Sequence, residues 1–147
     1  MSRSSFAKIF IFFVSGICSV TVMSVSAADL TVIVENVKNA EGMVRVGLFN
    51  NPATFPKTPL VGQTIDAKAA KANTVSLTFK SVTPGTYAVS AYQDINGNQK
   101  VDKNFVGMPV EPYGFSKNAR GMFGPPTFDD AHLDIGSNNL SINIKLK

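Results

Sequence analysis

The feature that most limits what this chain can fold into is an alternation of period two. Leu30, Val32 and Val34 take turns with Thr31, Ile33 and Glu35. Val44, Val46 and Leu48 alternate with Arg45, Gly47 and Phe49, and Val75, Leu77 and Phe79 with Ser76, Thr78 and Lys80. Tyr87, Val89 and Ala91 repeat the pattern, and Leu140, Ile142, Ile144 and Leu146 close the chain with it. Successive side chains on a strand point to opposite faces, so each run has one apolar face to bury. Such faces are stable when two β layers pack on each other. The expected fold is all-β, a single antiparallel β-sandwich of about seven strands. The first two runs, joined by Asn39-Ala40-Glu41-Gly42, read as an antiparallel hairpin. Lys145 and Lys147 on the last run suit a strand at a sheet edge.

Residues 1–28 stand apart. Arg3 and Lys8 precede an apolar run, Ile9 to Val25, interrupted by Ser, Thr, Gly and Cys alone. Val25-Ser26-Ala27 and Ser26-Ala27-Ala28 place small or modest residues where a signal peptidase reads. The pattern predicts a cleaved secretory signal peptide over 1–28 and an exported chain, periplasmic or secreted. An uncleaved anchor is the competing reading, but the run is slightly short for a spanning helix. After cleavage no stable membrane span is expected. The single cysteine, Cys18, lies in this segment, so the 29–147 domain must be held by its core rather than by disulfides. Of the formal charge of +4, Arg3 and Lys8 carry two units. The other lysines are scattered, without the dense basic run a nucleic acid would select, and a monomer is expected.

Residues 50–63 hold Pro52, Pro56, Pro59 and Gly62 and read as loop, while 67–72 reads as one helical turn or a loop. Pro84-Gly85 predicts a type II turn. The phrase PGTYAVSAY around it resembles the strand-turn-strand of transthyretin-like and carboxypeptidase-regulatory modules. That resemblance makes the sandwich transthyretin-like or immunoglobulin-like. From Asp94 to Gly136 the alternation gives way to Gly, Pro, Asn and aromatic residues, expected to form a long ordered loop region.

Within it, DINGNQKVDKN at 94–104 sets oxygen-bearing side chains at every second position. Calcium takes six to eight oxygen ligands. Asp94, Asn96, Asn98, the Lys100 carbonyl and Asp102 fall at positions 1, 3, 5, 7 and 9 of a calcium loop. Gln99 and Phe105 replace the Gly and Glu expected at positions 6 and 12, so further ligands would come from Glu111, Asp129 or Asp130. The expected affinity is weak, roughly 10⁻⁴ to 10⁻³ M. A metal-free hairpin turning at Asn96-Gly97 accounts for the same residues.

Residues 84–133 carry a second resemblance. Pro84-Gly85-Thr86-Tyr87-Ala88, Asp94 to Asp102, Gly107 to Ser116 (GMPVEPYGFS) and Pro125 to Ala131 (PPTFDDA) are similar to a bacterial exported family catalogued as domain of unknown function 2141. That family often has His before the loop Asp, where this chain has Gln93. The resemblance implies export and one β-sandwich, with no settled activity.

No catalytic set emerges from the residues. His132, the only histidine, has no second histidine to complete a metal shell. Ser116 lacks a nucleophile elbow. Asp129 and Asp130 would point to opposite faces of a strand, whereas Asp102 with Glu111 leaves a glycosidase-like pair open. Phe105, Tyr113, Phe115, Phe123 and Phe128, with the neighbouring prolines, form either a ligand platform or a plug over the end of the sandwich. The leading expectation is a non-catalytic cell-envelope module that binds an envelope ligand or protein through residues 94–128. Glu111, Tyr113, Phe115 and Arg120 are its ligand-binding candidates, and Glu111 and Arg120 are a candidate pair. A secreted hydrolase of carbohydrate and a purely structural domain are the alternatives.

Overall fold

The computed structural model describes residues 26–147. The signal-peptide expectation, with Arg3, Lys8 and Cys18, falls almost wholly outside them.

Eight strands among the described residues form two sheets. They are β1 (Ala28–Glu35), β2 (Met43–Phe49), β3 (Val61–Asp66), β4 (Thr74–Val82), β5 (Gly85–Asp94), β6 (Tyr113–Phe115), β7 (Leu133–Ile135) and β8 (Leu140–Lys145). One short helix, α1, spans Phe128–Ala131. The smaller sheet has the order β4-β1-β8; the larger runs β3-β2-β5-β6, with β7 pairing β5 as well. The protein is an all-β sandwich. Its pairings are antiparallel except β1 with β8, which is parallel, Val32 facing Ile142.

The alternation places the core as expected. Leu30, Val32 and Val34 are fully buried between the sheets, against Val44, Val46, Leu48, Val89 and Ala91 of the facing layer. Leu48 and Phe49 are neighbours on β2 and point to opposite faces. Leu48 joins the inter-sheet core, while Phe49 joins a second cluster with Ala88, Phe115, Phe128 and Ala131. The larger sheet is thus covered on both sides. Every buried residue of both clusters lies between Ala28 and Leu146.

Four local expectations differ from the structure. β1 and β2 do not form a hairpin. The connection between them carries positive φ at Asn36, Asn39, Ala40 and Gly42, and it arches from one sheet to the other. Residues 61–63, read as loop, begin the edge strand β3, whose residues are mostly exposed. Gly85 lacks the positive φ of a type II turn and instead pairs with Ile135. Beyond Asp94 the chain is ordered but not all loop, since it contains β6, α1 and β7.

Candidate functional site

Asp94 ends β5, pairs with Met43 of β2 and is fully buried. The chain that follows curls around its carboxylate. Gly97 N donates to Oδ1 at 2.8 Å, and Gln99 N donates to Oδ2 at 2.9 Å. Arg45, projecting from β2, donates its Nε to Oδ2 at 2.6 Å. Burial pushes the Asp94 carboxyl up, but these hydrogen bonds and the guanidinium charge outweigh it and hold the group below its ordinary value.

The period-two asparagines build the next turns. Asn96 Oδ1 accepts from Asn98 N, and Asn98 Oδ1 accepts from Lys100 N, each two residues on. Their amide nitrogens donate to Asp102, Asn96 Nδ2 to Oδ2 at 2.6 Å and Asn98 Nδ2 to Oδ1 at 2.8 Å. Glu111, 6% exposed, closes the loop from outside, accepting from Ile95 N at 2.9 Å and Asp102 N at 3.1 Å. All six carboxylate oxygens of Asp94, Asp102 and Glu111 therefore have a donor from the chain itself. The expected hairpin at Asn96-Gly97 is not what forms. Gly97 has positive φ but Asn96 does not, and 98–102 is not a strand.

The calcium candidates Asp94, Asn96, Asn98 and Asp102 are brought into one cluster, with Lys100 contributing its backbone and leaving its side chain exposed. Glu111 joins them, whereas Asp130 caps α1 through Thr127. Oxygen donors of this kind suit calcium, but among the described residues no group of three or more His, Cys, Asp or Glu is placed to hold a metal ion. In this arrangement Asn96 and Asn98 turn nitrogen rather than oxygen toward Asp102, and Arg45 supplies the positive charge at Asp94.

Past the loop, the chain makes two projecting turns. In the first, a bridge between Lys103 and Pro109 closes a small hairpin. Asn104 N donates to Met108 O, Gly107 N donates to Asn104 O, and Asn104 Oδ1 accepts from both Val106 N and Met108 N. Gly107 takes φ +83, the left-handed residue that follows a tight turn in such hairpins. Phe105 is 100% exposed at the tip. In the second turn, a Cβ on Gly121 would lie 2.4 Å from Gly124 O. That close approach folds the backbone on itself and leaves Met122 and Phe123 90% and 98% exposed. The aromatics thus divide. Phe115 and Phe128 plug the outer face with Phe49 and Phe55, whose rings meet edge to face, while Phe105 and Phe123 stand in solvent.

A family model described as "Uncharacterized protein conserved in bacteria (DUF2141)" matches residues 32–143, from β1 through most of β8. The chain belongs to the DUF2141 family. Neither a curated protein nor a solved structure matches it.

In this DUF2141 protein the four ligand candidates occupy different depths. Arg120 is exposed, Tyr113 is half-buried with its ring 5.9 Å from that of Phe115, and Glu111 and Phe115 are buried. Glu111 and Arg120 do not pair. Among the described residues the ion pairs are Arg45–Asp94 and Lys80–Asp29. Asp129 and Asp130 lie on α1 rather than on a strand. His132 caps the C-terminal end of that helix, with Nδ1 against Asp129 O. Ser116 is buried and bonded to Val89 and Ala131. A glycosidase needs two carboxyl groups facing its substrate. Asp102 and Glu111 adjoin, yet their oxygens are engaged by the chain. Two surface clefts among the described residues, of ≈ 410 and ≈ 290 Å³, lie elsewhere: Phe79, Tyr87 and Leu60 help line one, Phe55 and Pro126 the other, and neither has a carboxylate pair.

Two residues that sequence reasoning passed over hold the site. Arg45 reads as an ordinary polar position of an alternating strand. Gln93, fully buried, donates to Lys38 O at 2.6 Å and Glu41 O at 2.8 Å, and accepts from Lys38 N at 2.8 Å. It fastens the β1–β2 arch to the root of the loop. Its place immediately before the loop Asp is the available signal. Imidazole has two nitrogens and cannot make all three bonds. Gln93→His is therefore expected to cost about 1–3 kcal/mol in urea unfolding.

Proposed function

We propose that this DUF2141 chain is an exported, non-catalytic module of the bacterial cell envelope that binds a ligand or partner through the face built by residues 94–128. The observation that carries this reading is the near-complete exposure of Phe105, on a turn held by the Asn104 side chain, and of Met122 and Phe123. Contiguous exposed apolar patches mark interaction sites, and the first turn sets Phe105 beside exposed Val106, Met108 and Val110. Glu111, Tyr113 and Phe115 act from beneath by fixing the loop and the plug, and Arg120 contacts the ligand beside Phe123. Export rests on the charge, apolar run and cleavage pattern of residues 1–28.

A photo-crosslinking amino acid in place of Phe105 or Phe123, expressed in the native bacterium, tests this. Discrete adducts are expected at both positions, and none at exposed Pro84, in the β4–β5 turn at the opposite end of β5 from Asp94. Equal or absent labelling at all three positions contradicts the reading.

In the same reading the Asp94–Asp102 loop closes without an ion, and calcium binds only weakly, after Asn96 and Asn98 turn over. With a Kd of about 1 mM, the weak end of the expected range, one millimolar calcium is expected to raise Tm by less than about 2 °C. A rise of roughly 5 °C or more would assign the loop to the ion instead.

A further inference from the structure

We propose that the two projecting turns dock the protein on an anionic lipid surface, an inference that names the occupant of the face proposed above and rests on that reading. The first turn offers Phe105, Val106, Met108 and Val110, exposed by 100, 65, 57 and 61%. The second offers Met122 and Phe123. Phe and Met side chains on a surface element are the kind that enter the boundary between headgroups and acyl chains. In the first turn Asn104 Oδ1 accepts from Val106 N and Met108 N, and in the second Gly121 packs closely against Gly124 and Pro125.

The charges select the occupant. In residues 95–128 the exposed ionisable side chains are Lys100, Lys103, Lys117 and Arg120, all cationic; exposed Asp129 and Asp130 follow on α1, where Asp130 is held in the helix's capping box. The acids of the same stretch, Asp102 and Glu111, are turned into the loop and hydrogen-bonded there. Each turn therefore has a cation within two or three residues of its aromatic tip: Lys103 for Phe105, Arg120 for Phe123. Apolar tips collared by Lys and Arg complement a bilayer carrying anionic headgroups. A second copy of the chain fits poorly, since a twofold contact through this face would set the same cations against one another. Among the described residues no helix is long and apolar enough to cross a membrane, and docking by turns requires none.

Co-sedimentation with vesicles tests the proposal, using residues 26–147, which hold both cores entire. Vesicles of phosphatidylethanolamine with phosphatidylglycerol are compared with vesicles of phosphatidylcholine alone. Binding to the anionic vesicles is expected at low salt, weakening roughly tenfold or more on phosphatidylcholine or at high salt. F105S/M108S and M122S/F123S should each weaken binding about fivefold or more with an unchanged melting profile, because these side chains are exposed. K100Q/K103Q should weaken binding to the anionic vesicles alone. Equal sedimentation of wild type and variants, or none, overturns the proposal. So does a concentration-dependent mass increase without vesicles that F105S abolishes, which assigns the face to a second copy. If vesicles fail while a crosslinker at position 105 captures a discrete protein, lipid docking falls and the recognition face stands. If both fail, both fall.

Discussion

Replacing Asp94 by alanine is expected to lower stability by about 3 kcal/mol, seen in urea unfolding and as a fall in Tm on the order of 10 °C. The carboxylate is fully buried and has three partners: Arg45 Nε at 2.6 Å, Gly97 N and Gln99 N. Removing it orphans two amides and leaves a guanidinium without its counter-charge. Breaking a buried pair from one side costs about 3–5 kcal/mol, and the lower end applies because the Arg45 side chain is 24% exposed and reaches water. Arg45→Met introduced into the Asp94→Ala background should cost less than it does alone, a coupling that a double-mutant cycle reads directly. The acid dependence follows from the same contacts. The folded Asp94 carboxyl titrates below its ordinary 3.8, so the unfolded chain takes up its proton first on acidification. Its contribution is present above about pH 4 to 5 and is lost as pH falls through the lower folded value. Asp94→Ala removes this component. What Asp29 and Asp130 add stays, since both also titrate below their ordinary values through contacts elsewhere.

Gly42→Ala is the second change with a large expected effect, again about 3 kcal/mol or more, from left-handed strain and overpacking together. Gly42 has φ +70, and a Cβ there would sit 2.1 Å from Asp94 O and 2.6 Å from Ile95 Cα. Both are backbone atoms, so no rotamer relieves the contact. The arch between β1 and β2 would have to move away from the root of the loop. Urea unfolding gives the loss, and amide exchange should show it centred on residues 95–102. Gly62→Ala serves as control: nothing lies within 4 Å of its Cβ position, so a change within about 0.5 kcal/mol is expected.

These two positions show where sequence reading works and where it stops. β1, β4 and β8 are legible because each buries one face, and burial imposes the period. β3 is not. Its exposed edge position asks little of Gly62, Gln63 and Thr64, so no alternation survives. The β1–β2 arch misleads because two strands in a hairpin and two strands in facing sheets share the same period. The decision lies in the positive-φ residues between them. At the loop, the regular Asp-Asn-Asn spacing is visible, but it serves Asx turns as well as it serves an ion. Arg45, 49 residues before Asp94, gives no local sign that it faces the loop. Phe105 and Phe115 are the same residue type ten positions apart, one in solvent and one in the plug. Only the turn around the first, with Asn104 and Gly107, separates them.

The central claim is that the chain's own donors, rather than a cation, hold the 94–111 loop in shape and so fix the face that carries the two apolar turns. Amide hydrogen exchange in buffer stripped of divalent ions by a chelator tests it most directly. Slow exchange is expected at Ile95, Gly97, Gln99 and Asp102, whose N–H groups donate to Glu111 and Asp94. Exchange at the rate of an open chain at these four amides, slowing only when calcium is restored, would contradict the account.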